Sequence, residues 1–327
     1  MSSQNILLFG ATGAIGTFIL NAILAQRSQF GRIAIFTSQR TAETKGEHLK
    51  KQGVEVIIGD LEDENAVKTA YEGITTVISA LGRNTLAHQI PLIRLAAASP
   101  SVKWFFPSEY GTDIAYSPAS IHEKPHQQKL RVRAVLENEI SRHDLDYSYV
   151  VTGPFAEMYL HFSPGLEEAG GWDVKTRRAV LLGARGRRGL GVSFFWICLA
   201  NVGILLLLYN SVGTFVVSTL LHATPKTRNR PLCVNSFTTS QAEIQALFER
   251  HVPGPWDVSY TSLERLRELE DEAWGAGNPL ATLVTLRRIW TEGGTLYEKR
   301  ANGLIGEPKT TSLEEIIARE VRGSSSL

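Results

Sequence analysis

"NILLFGATGAIGTFIL", residues 5–20, passes from an apolar run to closely spaced glycines and then to apolar residues at helical spacing. The first part reads as a buried strand and the last as a helix, so the glycines sit in a strand-to-helix loop. Gly10 permits the tight turn, Gly13 lets backbone approach a pyrophosphate, and Gly16 lets helix and strand pack closely. The loop Gly10, Ala11, Thr12, Gly13, Ala14, Ile15, Gly16 therefore predicts a phosphate site at a helix N-terminus, where free N–H groups and the positive end of the helix dipole attract anions.

Further β-rich runs follow, beginning at residues 32, 54, 75, 102 and 146, with helical stretches between them. This alternation predicts an α/β fold, a Rossmann-type doubly wound parallel sheet. A ligand then binds at the carboxyl ends of the strands. There Gly10–Gly16, Thr37–Arg40, Asp60 with Leu61, Ser79, Ala80 and Leu81, and Pro107–Gly111 are expected to converge. Asp60 is placed by the adenine, or else caps the next helix. No acid stands at Thr37, Ser38 or Gln39 to hold an adenosine ribose, whereas Arg40 suits a 2′-phosphate. This favours NADP(H) over NAD(H); the alternative is that Arg40 is a solvated charge beside Glu43.

Composition bounds the function. The 327 residues, 43% hydrophobic, suffice for a large core, and a net charge of +1 favours neither nucleic acid nor an anionic membrane surface. Cys198 and Cys233 form no metal-ligand spacing, and the N-terminus does not read as a secretory leader, so a cytoplasmic protein is the expectation. His122 to His126, "HEKPH", matches a zinc-helix pattern, but Pro125 breaks the helix that pattern requires, and no metal is expected.

The segments "GATGAIG", "GDLED" from 59, "FFPSEYG" from 105 and "HQQKLRVRAVLENEISRHDLDYSYVVTGPF" from 126 together resemble the NmrA-like and isoflavone reductase-like branch of the atypical short-chain dehydrogenases. The resemblance is close over the first half of the chain and loose beyond it. It implies an NADPH-binding domain over residues 1–152 and a smaller mixed α/β substrate domain over 153–327. In the reductase members it implies hydride transfer to a phenylpropanoid or other aromatic acceptor. The Tyr-x-x-x-Lys pair of ordinary short-chain dehydrogenases is missing, since Pro125 stands four residues before Lys129. By resemblance Lys129 is instead the lone general acid or base. Arg131 and Arg133 are cations without an assigned role. The alternative function is a dinucleotide-sensing regulator of the NmrA type, acting through a protein partner and needing no such lysine.

In the second half, Ser240 with Glu243, Thr261 with Glu264, and Ser312 with Glu315 read as helix capping boxes, and "PLCVNSF" from 231 as a strand joining or flanking the sheet. Phe155, Met158, Tyr159 and Phe162 are candidates for an aromatic pocket, or else core. The uncharged run from Val192 to Tyr209 follows Arg185, Arg187 and Arg188 and is long enough to span a membrane, yet it interrupts the substrate region. It reads as an insertion: a translated intron first, a buried insertion second and a membrane span last.

Overall fold

A computed structural model describes residues 4–140, 144–183, 204–206, 208–297 and 299–325. The first half of the chain runs β1 (Gln4–Phe9), α1 (Ala14–Ala25), β2 (Phe30–Thr37), α2 (Gln39–Lys51), β3 (Glu55–Ile58), α3 (Glu64–Ala70), β4 (Thr76–Ser79), α4 (Gln89–Ala98), β5 (Trp104–Phe106), α5 (Gln127–Ala134) and β6 (Asp146–Val151). The second half continues α6 (Ala156–Tyr159), β7 (Gly171–Asp173), β8 (Arg178–Leu182), β9 (Ile204–Leu206), α7 (Tyr209–Leu221), β10 (Arg230–Cys233), β11 (Phe237–Thr239), α8 (Gln241–His251), β12 (Asp257–Thr261), α9 (Leu263–Gly275), α10 (Ala281–Thr291) and α11 (Leu313–Ser325).

The main sheet is parallel, in the order β10-β6-β5-β4-β1-β2-β3. Strand β1 shows why these strands read as unbroken apolar runs. Its Ile6 and Leu8 pack under α1 and α7, while Leu7 and Phe9 face the layer of α3 and α4. Strand order reverses at β1 and β4, so the crevice between helix layers opens at their carboxyl ends. Strand β10 comes from the second half and pairs with β6, completing the sheet's far edge.

The remainder forms a mixed sheet, β12-β8-β7, and an antiparallel pair of β9 with β11, covered by α8 to α11. Ser240 with Glu243 and Ser312 with Glu315 make the reciprocal bonds of capping boxes. Thr261 does not cap a helix: it is the last residue of β12, and Ser262 caps α9 by accepting from the Arg265 amide. Most of the run from Val192 lies outside the described residues, and with it the question of its origin. Among the described residues no helix is long and apolar enough to cross a membrane.

Helix α7 meets α1 at Gly213, where an added Cβ would collide with the Phe18 carbonyl and stand 2.8 Å from the Ala22 Cβ. Gly213→Ala is therefore expected to lower unfolding stability by about 1–3 kcal/mol, read by denaturant titration.

Candidate active site

At the end of β1 the backbone of Gly10 has φ 72°, and a Cβ there would stand 2.6 Å from the Ala80 carbonyl oxygen. Gly16, in the first turn of α1, packs so closely on Gly10 that a Cβ would strike its carbonyl. Between them the Gly13 amide donates to Gly10 O at 3.0 Å, and Gly13 caps α1 without a side chain. The amides of Ala14, Ile15 and Gly16 precede the first intrahelical donor, Thr17, which bonds Gly13 O. Gly13, Ala14 and Ile15 line one cavity, and the buried Ala11 and half-buried Thr12 complete the turn. Lys45 reaches the loop from α2, its Nζ 3.4 Å from Thr12 O, a cation that no motif had marked.

On one side of the loop opens a cleft of about 540 Å³, walled by Thr37–Gln39 and by Asp60 with Leu61. Its β2 wall carries no carboxylate. Asp60 accepts from the Glu62 amide at 3.0 Å, and the cap of α3 is Asp63, so Asp60 is not a helix cap. Arg40 is exposed in the first turn of α2, next to the cleft wall rather than part of it. Glu43 is taken by Gln39 at 2.8 Å, and the Arg40 guanidinium has no partner among the described residues.

On the other side, the cavity lined by Gly13–Ile15 and by Ala80 and Leu81 shares Arg83, Tyr110, Pro125 and Lys129 with a smaller one of about 120 Å³. Ser79 is buried at the end of β4, and Ser108 ties the β4 and β5 loops by donating to Leu81 O at 2.9 Å. Gly10, Thr37–Gln39, Asp60 and Leu61 thus line one cavity and Gly13–Ile15, Ala80, Ser108 and Tyr110 another, with Leu81 common to both.

Lys129, in α5, donates to the Glu109 carbonyl at 3.0 Å. Burial lowers its pKa from the usual 10.5; Arg133 and Arg83 push the same way, while Glu109 and Asp113 oppose. Arg133 gains a definite role: it donates to the Glu109 carboxylate at 2.8 Å, with Asp113 at 3.7 Å, and the two paired side chains are 7% and 1% exposed. Arg133 therefore secures the turn whose carbonyl holds Lys129. Tyr110 is buried with a pKa well above 10, raised first by burial and then by Glu109, so it stays neutral as a phenol.

The smaller cavity is apolar on its outer wall. Phe155 and Met158 line it as expected, but Tyr159 is core, and Phe162 lies elsewhere with Arg178 over its ring. In their place stand Leu286 and Trp290 from α10, the latter donating to Thr112 Oγ1 at 2.7 Å. His161 Nε2 lies 3.1 Å from a Glu320 carboxylate oxygen. His122 and His126 fall in two separate 3₁₀ turns, and His126 Nδ1 lies 2.9 Å from Ser120 O.

A model of the NmrA-like family matches residues 2–171, which hold the glycine loop, the "FFPSEYG" turn and Lys129. The chain belongs to the NmrA-like family. Among its relatives, isoflavone reductase of Pisum sativum is 26% identical over 317 residues, covering 91% of each chain. Phenylcoumaran benzylic ether reductase 1 of Arabidopsis thaliana is 25% identical over 340 residues, covering 98% of this chain and 99% of the relative. The leucoanthocyanidin reductase of Vitis vinifera, solved as a binary complex with NADPH, superposes with a TM-score of 0.73 at 18% identity, over 97% of this chain and 99% of that one. This last likeness establishes the shared fold.

Proposed function

We propose that the chain is an NADPH-dependent oxidoreductase that reduces a small aromatic or secondary-metabolite acceptor. The observation that carries this reading is the position of Lys129, whose half-buried amine opens both onto the cavity of the glycine loop and onto an apolar cavity. The relatives named as reductases of isoflavone and phenylcoumaran compounds support it.

The residues fit a dinucleotide. Gly10 to Gly16 offer backbone amides and close approach to a diphosphate, Lys45 adds a cation, and Ser79, Ala80 and Leu81 border the path towards the nicotinamide. Asp60 and Leu61 flank the adenine, and the unpartnered Arg40 takes the 2′-phosphate. When bound, NADPH supplies the hydride. Lys129 supplies a proton from Nζ to the oxygen on which charge develops, the Glu109 carbonyl orienting that amine. The Phe155, Met158 and Trp290 wall excludes water and stacks the aromatic acceptor. In this reading residues 1–152 bind cofactor and carry the polar side of the substrate cavity, and 153–327 supply its Phe155, Met158, Leu286 and Trp290 wall.

Fluorescence titration with NADPH, NADH and their oxidised forms is the first test. NADPH is expected to bind more tightly than NADH, and Arg40→Ala to weaken NADPH by about tenfold while sparing NADH. Tighter binding of the oxidised forms, without turnover of any aromatic acceptor, would favour the dinucleotide-sensing regulator instead.

A further inference from the structure

We propose that His126 is a substrate-binding residue whose Nε2 accepts a hydrogen bond from a hydroxyl group on the aromatic acceptor, beside Lys129. The inference rests on the reductase reading and adds the chemical class of substituent that the cavity selects.

His126 is 2% exposed, and its ring lines the same cavity as Lys129, which follows it by three residues at the start of α5. Nδ1 faces the Ser120 carbonyl at 2.9 Å. A carbonyl only accepts, so Nδ1 carries the hydrogen and Nε2 of the neutral ring keeps a bare lone pair. Among the described residues Nε2 has no partner. Burial lowers the pKa of this imidazole from 6.5 and Lys129 adds to the effect, against the Ser120 carbonyl, Glu123 and Asp113, so the neutral ring is the form at neutral pH. A buried acceptor without a donor is costly, and such groups persist where a ligand completes them.

The other polar groups of the cavity cannot do the same selecting. Lys129 and Arg83 only donate, so they hold a hydroxyl and an ether alike. Tyr110 has a buried hydroxyl without a partner, but it donates as well as accepts. The Gly111 carbonyl is taken by the amides of Thr152 and Gly153, and Thr112 Oγ1 by Trp290. Among the described side chains lining the cavity, His126 is the one strong obligate acceptor, and only an obligate acceptor rejects an ether while holding a phenol or alcohol. The "HEKPH" segment thus brings one histidine to an organic hydroxyl, on a ring already fixed by backbone.

The experiment compares 4-propylphenol with 4-propylanisole by calorimetric titration of the full chain loaded with NADP+. The unmodified chain is expected to bind the phenol at least about tenfold more tightly than the anisole. His126→Phe is expected to reduce that preference to about twofold or less, with NADP+ affinity unchanged, and His126→Gln, which returns an amide oxygen to the reach of Nε2, to restore part of it. A second measurement avoids substitution: with ¹⁵N-labelled histidine, the Nε2 resonance of His126 is expected to move on adding the phenol and to stay on adding the anisole. No phenol preference in the unmodified chain, an undiminished preference in His126→Phe, or a motionless Nε2 resonance overturns the assignment. Failure to bind NADP+ overturns the reductase reading instead, and the phenol comparison, repeated without cofactor, then decides His126 by itself.

Discussion

Lys129→Ala leaves NADPH affinity within about twofold of the unmodified chain and lowers kcat by about 10²–10⁴-fold, the usual contribution of one positioned proton donor. The expectation follows from where the amine sits. It bonds the Glu109 carbonyl from a helix whose start borders both cavities, so its loss removes a proton source without removing the glycine loop or the cleft beyond it. The sign of the pH effect is fixed by the same environment. The donor is the ammonium form, so kcat falls as pH rises through the lysine's pKa, and because burial lowers that pKa from 10.5 the fall begins at a lower pH than for a free lysine. The alkaline limb is expected to vanish in Lys129→Ala. A variant that keeps full turnover with an aromatic acceptor would end the proton-donor role.

Arg133→Met should destabilise the fold by about 3–5 kcal/mol in denaturant titrations at neutral pH, because it strands the Glu109 carboxylate, 1% exposed, without its partner. Asp113, 3.7 Å from the same guanidinium, becomes a like charge nearby and increases the cost. Replacing both members, as in Arg133→Met with Glu109→Gln, should recover much of the loss, since no buried charge then lacks a partner. A neutral-pH loss below about 1 kcal/mol in the single variant would show that the pair does not hold this turn.

The parallel-sheet half was legible because its signals are local. Buried parallel strands write themselves as apolar runs, and the turn from β1 to α1 demands Gly10 and Gly16 by backbone collision alone. Helix starts at Ser240 and Ser312 were readable for the same reason, whereas at α9 adjacent Thr261 and Ser262 both suit a cap and only the end of β12 decides between them. What escaped depends on residues far apart in the chain. Arg133 looked like a spare helix cation until the β5 loop brought Glu109 against it. Trp290 and Leu286 reach the cavity from α10, and no spacing relates them to Lys129. Phe162 failed as a pocket residue because aromatic character does not specify direction; two residues past Leu160 the chain has already turned towards Arg178. Pro125 was enough to set aside a metal pair at His122 and His126, but the backbone bond that fixes His126 is invisible in sequence.

The far edge of the main sheet bears on how the chain is made. Strand β6 is hydrogen-bonded on one side by β5 and on the other by β10, which follows it only after the α6 to α7 segment has been synthesised. A nascent chain that has just emerged through Val151 therefore exposes β6 as a bare strand edge, with the α7 face of the core also uncovered. Until Cys233 leaves the ribosome the main sheet cannot be completed, and during that interval the growing chain is most open to misassembly and to capture by chaperones.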